Sequence, residues 1–179
     1  MIDSLAKHYE IEKKAERLFK IRIDQNELLR TINFIGSSSN FMTLSQITCA
    51  DWIEDEVFTL NYILTTEQRN KNLMIALDIP RDKSKLPTIL HLFPQAEVME
   101  RDLHEMYGID FIGNATLYDF ALENWKEIPP LRREFDTLAY VNKQFEFRAG
   151  REDNKDVKAE TKRRRAEAKK LKAKMEAKK

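Results

Sequence analysis

Three runs of alternating apolar residues constrain this chain more than any other feature of its sequence. In the strictest run, residues 73–79, every second residue is a leucine or an isoleucine, which is the two-residue period of a strand. Residues 41–50 and 56–65 behave similarly, and the second of these carries apolar residues on both faces, which predicts cover on both sides. The connections, 51–55 and 67–71, are short and charged. The runs therefore predict a meander of strands joined by hairpin loops.

Helical patterns stand on both sides of this meander. Two Glu–Lys pairs four apart, Glu10–Lys14 and Glu16–Lys20, support a first helix over residues 4–19, which a short strand at 20–23 follows. Asp24 fits the start of a second helix, because it can accept from the backbone at Glu27 while Glu27 reaches back. Gly36 fits the end of that helix. We therefore predict an α+β fold, with helices packed on one face of a small, mostly antiparallel sheet.

Residues 94–113 combine an apolar stripe at helical spacing with an ordered polar face. Pro94 fits a first helical position, and Gly108 fits the left-handed residue that ends a helix. Three charged residues stand four apart on the polar face: Glu97, Arg101 and Glu105. The arginine can pair with either carboxylate. Two interpretations follow: the charges form a solvated ion-pair ladder, or this face meets another protein.

The composition excludes several kinds of site. Cys49 is the only cysteine among 179 residues, so the chain alone cannot supply a disulfide or the thiolates of an iron–sulfur cluster or a zinc site. There is no glycine-rich phosphate loop, and no apolar run approaches the roughly 20 residues that span a bilayer. We expect no cofactor or metal in this chain, and a peripheral location on the cytoplasmic side of a membrane. High Lys and Glu with few Cys is also typical of thermophile proteins.

One pair of residues could support acid–base chemistry. Glu100 stands four residues before His104, on the same helical face. A single helical Glu–His pair is common, however, and Cys49 lies in an apolar strand that predicts an inert, buried thiol. The residues favour a scaffold, and the alternative is a freestanding acid–base enzyme that would lose turnover in His104→Ala.

The C-terminal part of the chain changes character twice. Prolines predict an extended path for 128–135, and 137–150 is predicted as an extended segment whose aromatic residues either wrap their own domain or form a patch for a partner. Residues 151–179 carry 13 Lys and Arg against 6 Asp and Glu, whereas the rest of the chain has a net charge of −6. We predict a domain over 1–136 and a basic helical tail over 151–179, solvated or docked on a partner. The alternative is an arm for nucleic acid or anionic lipid.

Residues 99–113 resemble the signature of the thirty-kilodalton subunit of respiratory complex I. That signature runs Glu-Arg-acid, two residues, an acid, two residues with an aromatic second, then Gly-Ile-x-Phe-x-Gly. Nine residues match it: Glu100, Arg101, Asp102, Glu105, Tyr107, Gly108, Ile109, Phe111 and Gly113. Residues 130–135, with Trp125 before them, resemble the second block of the family, a proline-leucine-arginine-basic-acidic run. The resemblance covers about residues 26–136.

The resemblance implies a non-catalytic peripheral-arm subunit of a membrane-bound, ion-translocating redox complex. Such a subunit holds a large catalytic subunit and a small iron–sulfur subunit together and meets the membrane subunits indirectly. Iron–sulfur clusters and a nickel-iron or quinone site would then lie in those partners, and no nucleic acid is expected.

The chain also departs from the family pattern. Asn114 and Ala115 stand where His-Pro is usual, and Tyr118 and Asp119 replace a usual Arg-Arg. These departures resemble the homologous subunit of archaeal energy-converting nickel-iron hydrogenases. The alternative is the same role in a quinone-, deazaflavin- or sulfur-linked relative.

The ordered charges and the resemblance together predict a partner interface, with no catalytic, cofactor-binding or metal-ligating residues. Its predicted residues are Glu97, Glu100, Arg101, Asp102, Glu105, Tyr107, Gly108, Asp110, Phe111, Gly113, Trp125, Pro130, Leu131, Arg132 and Arg133.

Overall fold

The computed structural model of the chain describes residues 5–38, 41–68 and 70–144. By its internal contacts the chain divides into two compact units, Met1–Phe135 and Asp136–Lys179. The predicted basic tail and residues 145–150 of the predicted extended segment lie outside the described residues. Within the described ranges, none of the helices has the length and apolar character needed to cross a membrane.

Five strands of the first unit form one sheet. Their bounds are β1 Glu12–Ala15, β2 Leu18–Arg22, β3 Phe41–Trp52, β4 Val57–Thr66 and β5 Asn72–Pro80. The order across the sheet is β1-β2-β5-β4-β3; β2 runs parallel to β5, and the other neighbouring pairs are antiparallel. The mostly antiparallel sheet is confirmed, and each long strand begins and ends within two residues of its predicted bounds.

Three helices and a small second sheet complete the described part of the chain. They are α1 Leu28–Ser38, β6 Lys85–Pro87, α2 Ala96–Tyr107, β7 Asp110–Ile112 and α3 Thr137–Gln144. β6 and β7 pair in parallel, which brings the segment before α2 beside the segment that follows it. The predicted α+β fold is confirmed.

One face of the large sheet carries the core. Its fully buried strand residues include Phe58, Leu60, Tyr62 and Leu64 of β4 and Leu73, Ile75, Leu77 and Ile79 of β5. The helices add Leu28, Ile32 and Ile35 from α1 and Ala96 and Leu103 from α2. The opposite face of β4 is half-exposed at Val57, Thr59, Asn61 and Ile63. The strand that we predicted to be covered on both faces is therefore fully covered on one.

The predicted helix over 4–19 is wrong. A short turn begins at Leu5, and a hairpin of β1 and β2 occupies the rest of the range. All four residues of β1 are exposed, so the charge spacing that suits a helix also suits a solvated strand. Ile21 of β2 is buried beside β5, and this pairing outweighs the local helical preference.

The second predicted helix is confirmed, with a longer C-terminal end. Asp24 caps it as expected: its side chain accepts from the backbone N–H of Asn26 at 2.9 Å, and a short 3-10 turn, Gln25–Glu27, leads into α1. The helix continues through Gly36 to Ser38. A Cβ at Gly36 would meet no atom within 4 Å, so this glycine neither ends the helix nor makes a close approach.

The extended path predicted for 128–135 and beyond is also wrong. The backbone N–H of Arg132 donates to the carbonyl of Pro129, and that of Phe135 to the carbonyl of Arg132, so tight turns replace extended chain. Helix α3 then occupies Thr137–Gln144, where we predicted an extended segment. The first of these turns spans residues 129–132 and has Pro130 in its second position, where the fixed backbone angle of proline is favoured.

Candidate partner interface

The signature helix is α2, and it ends where the sequence predicts. Gly108 has a φ of 75°, and its N–H donates to the carbonyl of His104 at 2.8 Å. A Cβ on this glycine would lie 3.1 Å from Pro129 Cγ and 3.2 Å from Arg132 Nη2. Both the left-handed backbone and the crowding therefore favour glycine. The helix begins two residues after Pro94, so the proline precedes the first helical position.

Glu100 lies inside the fold, with none of its surface exposed. Its Oε2 accepts hydrogen bonds from Thr88 Oγ1 at 2.6 Å and Asn114 Nδ2 at 2.9 Å, and its Oε1 accepts from the backbone N–H of Ile89 at 2.9 Å. Thr88 and Ile89 follow β6, and Asn114 follows β7. Because β6 and β7 run parallel, the carboxylate ties α2 to the two segments that leave the same end of the small sheet.

Asn114, one of the departures from the family pattern, belongs to this buried junction. While its amide N–H donates to Glu100, its Oδ1 accepts from the backbone N–H of Thr116 at 2.9 Å and from Thr116 Oγ1 at 2.7 Å. The asparagine thus orders the turn that leaves β7. No local pattern in the sequence indicates that this position completes the environment of Glu100.

Arg101 holds the loop that follows β7. Its Nε donates to the carbonyl of Tyr118 at 2.9 Å, and a second N–H donates to the carbonyl of Asp119. The guanidinium carbon lies 3.8 Å from the centroid of the Tyr118 ring and 5.0 Å from that of Phe120. Such stacking of a cation on aromatic faces is favourable. We call residues 118–122 the aromatic loop.

Glu105 holds the same loop from the next turn of α2. Its carboxylate accepts from the backbone N–H groups of Phe120 at 2.8 Å and of Ala121 and Leu122 at 2.9 Å. Burial raises the pKa of Glu105, but these N–H groups and the charge of Arg101 outweigh it and leave the pKa below its ordinary value. The ion-pair ladder predicted as one interpretation is wrong, because in the described chain no ion pair joins Glu105 to Arg101 and both bind loop backbone.

Two further acids of α2 lie at its surface. Glu97 is half-buried and Asp102 is exposed. Partial burial and the nearby charge of Glu105 raise the pKa of Asp102. The exposed side of this helix is therefore negative.

The second family block caps the C-terminal end of α2. The backbone N–H of Leu131 donates to the carbonyl of Met106 at 3.0 Å, and Arg132 Nε donates to the carbonyl of Tyr107 at 2.7 Å. The last carbonyls of a helix lack partners within it, so these donors complete its hydrogen bonding. The two blocks thus form one structural unit.

A charge network extends this unit to the end of β3. The Asp51 carboxylate, almost fully buried, receives two N–H groups of Arg81 at 2.7 and 3.0 Å and the backbone N–H of Arg133 at 2.9 Å. Arg81 also pairs with Glu134, and Arg133 with Glu54 at 3.1 Å. Asp51 and Arg81 were not predicted from the sequence, where both fall in loops.

Tyr107 joins α2 to the edge strand β3. Its hydroxyl donates to the carbonyl of Cys49 at 3.1 Å, and its ring packs edge-on against Phe58 with centroids 5.8 Å apart. Burial and the charge of Asp51 raise the pKa of the Cys49 thiol to about 12, which supports the predicted inert thiol. Unlike the hydroxyl of Tyr107, the hydroxyl of Tyr62, which is fully buried on β4, has no hydrogen-bond partner among the described residues.

The Glu100–His104 pair does not form a dyad in this structure. His104 Nδ1 lies 2.8 Å from the carbonyl of Ile109, to which it donates, and Glu100 is bound by donors from other segments. Among the described residues, no group of three or more His, Cys, Asp or Glu side chains could hold a metal ion.

The predicted interface residues divide by exposure. Exposed are Asp102, Gly113, Leu131 and Arg133; half-buried are Glu97, Arg101, Glu105, Tyr107, Gly108, Asp110, Trp125, Pro130 and Arg132; buried are Glu100 and Phe111. Trp125 Nε1 donates to the carbonyl of Ile128 at 3.0 Å, and its ring packs against Phe135. Asp110 pairs with Lys85 at 3.3 Å.

Tyr118 and Phe120 were not among the predicted interface residues, although two aromatics shortly after the signature were a visible signal.

The joined signature blocks agree with a direct family comparison. Residues 21–141 match the family described as the respiratory-chain NADH dehydrogenase, 30 Kd subunit. The chain belongs to this family. The family that the signature over 99–113 predicts is therefore confirmed.

Individual relatives extend this comparison. The C/D subunits of NADH-quinone oxidoreductase from Salmonella typhi and from Salmonella typhimurium strain LT2 are 30% identical over 96 residues, which cover 54% of this chain. The aligned region is 16% of the length of those relatives. A chain in the solved structure of the membrane-bound sulfane sulfur reductase, an archaeal respiratory membrane complex, is 29% identical with a TM-score of 0.72, covering 83% of this chain and 92% of that one. A trypsin-resistant fragment of Nqo5 shares the fold, at 20% identity and a TM-score of 0.55, covering 66% of this chain and 95% of the fragment.

Proposed function

We propose that this chain is a non-catalytic subunit of the peripheral arm of a membrane-bound, ion-translocating redox complex. The observation that carries the proposal is the union of the two family blocks: donors from the second block cap the helix formed by the first. The charged side chains of α2 hold the segments that follow β6 and β7, including the aromatic loop, in place. Such use of charge suits a surface that must be rigid when it meets neighbouring subunits.

The partners in this proposal are a large catalytic subunit and a small iron–sulfur subunit, with the membrane subunits contacted indirectly. A single cysteine in the whole chain agrees with clusters being carried by those neighbours. The large subunit would carry the nickel-iron or quinone site. The proposed location is peripheral, on the cytoplasmic side of the membrane.

For the type of complex, we propose an energy-converting nickel-iron hydrogenase. The proposal is based on the residues that depart from the usual family pattern: Asn114, Ala115, Tyr118 and Asp119. A second candidate is a sulfur-linked complex. It is favoured by the similarity to a chain of the archaeal sulfane sulfur reductase over most of both chains. A quinone- or deazaflavin-linked complex would use the same surface.

The test is affinity purification of the tagged full-length chain from membranes of its native host in mild detergent. We expect mass spectrometry to identify a large subunit of the nickel-iron or quinone-site type and a small iron–sulfur subunit. Stoichiometric nickel would support the hydrogenase type, and its absence together with sulfur-reducing activity would support the second candidate. Recovery of the chain without any such subunit would contradict the proposal.

A pair of arginine variants sharpens this test. Arg101→Ala should reduce recovery of the partners, because the aromatic loop loses the two hydrogen bonds and the stacking that hold it. Arg22→Ala, which removes an arginine paired with Asp78 on the large sheet, is the matched control and should leave recovery unchanged. Equal recovery with both variants would show that the α2 surface is not the contact.

A further inference from the structure

The aromatic loop displays two rings that the predicted interface did not include. Tyr118 is 60% exposed and Phe120 is 46% exposed. Exposed aromatic side chains in neighbouring positions frequently mark protein contacts, and tyrosine is enriched among the residues that dominate binding energy. These rings belong to the unit Met1–Phe135 and project beside α2.

The loop is held from both sides of its backbone. Arg101 donates hydrogen bonds to the carbonyls of Tyr118 and Asp119. Glu105 accepts hydrogen bonds from the N–H groups of three successive residues that begin at Phe120. Because these bonds order the loop before any partner arrives, binding through the rings would not have to order it again. Arg101 also stacks on both rings, so their position relative to α2 is set.

Acidic side chains stand close to the two rings in the sequence, and another lies on α2 beside the arginine that stacks on them. Asp119 and Glu123 are exposed in and after the loop, and Asp102 is exposed on α2 next to Arg101. The positive charge of Arg101 is directed at loop carbonyls and aromatic faces. Such a rim repels anionic lipid headgroups and nucleic acid and attracts a basic protein surface.

We propose that Tyr118 and Phe120 dock into an apolar pocket rimmed by Lys or Arg on a neighbouring subunit. This inference rests on the proposed function, since the occupant is one of the subunits of the complex. The rings fill the pocket, and Asp102, Asp119 and Glu123 face its basic rim. In this arrangement the charged side chains of α2 hold the aromatic loop in one conformation, and the rings of the loop contact the partner.

The experiment uses the full-length chain and the complex that it forms in its native host. A tag on the partner subunit identified with the wild-type chain captures the complex, and the amount of this chain retained through washes of rising salt is measured. Tyr118→Ala/Phe120→Ala is compared with Met42→Ala, which removes an equally exposed apolar side chain from β3. We expect about tenfold lower retention for the double variant and none of that loss for the control.

A charge-reversed variant tests the rim separately. Asp102→Lys/Glu123→Lys should lower retention at low salt, and its retention should depend less on salt than that of the wild type. The exposed positions predict an unchanged unfolding midpoint for both double variants, measured by circular dichroism. Wild-type retention by both folded double variants would overturn the docking inference while leaving the proposed function intact. A wild-type chain that captures no subunit of such a complex would overturn both.

Discussion

Replacing Glu100 with glutamine tests the role that the structure assigns to the first acid of the signature. The two carboxylate oxygens accept three hydrogen bonds in all: Oε2 accepts two and Oε1 accepts one. A glutamine amide offers one acceptor atom and one NH₂ group. If its oxygen takes the Oε2 position, the bonds from Thr88 and Asn114 persist, and the NH₂ group then faces the N–H of Ile89. The glutamine NH₂ group and the Ile89 N–H are then two buried donors that face each other without an acceptor between them.

The magnitude follows from this count. A hydrogen bond to a charged group contributes about 1.5–3 kcal/mol, and a buried donor left without an acceptor costs about 1–3 kcal/mol. Relief from burying a charge acts in the opposite direction. Because Glu100 is fully buried and all three of its donors come from other segments, we expect the lost bond and opposed donors to dominate. Glu100→Gln should therefore lower the free energy of unfolding by about 3 kcal/mol.

The assay is urea unfolding of the full-length chain followed by far-ultraviolet circular dichroism. A lower midpoint at unchanged slope reports a loss of stability. Glu97→Gln is the matched control, because it makes the same change on the same helix at a half-buried position; its effect should stay within about 0.5 kcal/mol. A Glu100→Gln protein as stable as the wild type, or more stable, would refute the reasoning, since the cost of burying the charge would then exceed the value of its three bonds.

Three further substitutions test individual hydrogen bonds: two replace tyrosines with phenylalanine, and the third removes a carboxylate whose effect on stability depends on pH. Tyr62→Phe should leave stability unchanged or raise it by about 1 kcal/mol, because it removes a buried hydroxyl that has no partner among the described residues. Tyr107→Phe, which loses the bond to Cys49, should lower stability by about 1 kcal/mol in the same unfolding assay, and equal losses in both tyrosine variants would contradict this. The lowered pKa of Glu105 contributes stability above its ordinary value of 4.5, and that stability is lost as pH falls through the folded-state pKa. Wild type should therefore lose more stability than Glu105→Gln between about pH 5 and pH 3, and parallel pH profiles would argue against it.

The long strands and α2 were predictable because their patterns are local and strong. Alternation over 73–79 and helical spacing with Gly108 at the end each agree with one kind of backbone only. The N-terminal hairpin was not predictable in this way. Its charged residues fit either element, and the choice depends on β5, which lies about fifty residues away and offers β2 a parallel neighbour.

The candidate site shows the same division. Glu100, Arg101 and Glu105 were identified from the signature, yet their partners were not. The four-residue spacing predicted contacts along the helix, whereas the structure supplies carbonyl and N–H groups from a loop that returns to the helix. Backbone groups of that loop accept two hydrogen bonds from Arg101 and donate from three residues to Glu105. The tight turns after Pro129 likewise depend on the carbonyls at the end of α2.

The sequence by itself determined the strand meander, the C-terminal end of α2 at Gly108, the family and the lack of thiolates for a cluster. Periodicity, turn residues and composition are properties of short stretches or of the chain as a whole. The tertiary structure decided what the charges do. Burial of Glu100, the hold of Arg101 and Glu105 on the aromatic loop, and the network at Asp51 all join residues distant in the chain. Such contacts depend on the path of the backbone between them, which no local pattern encodes.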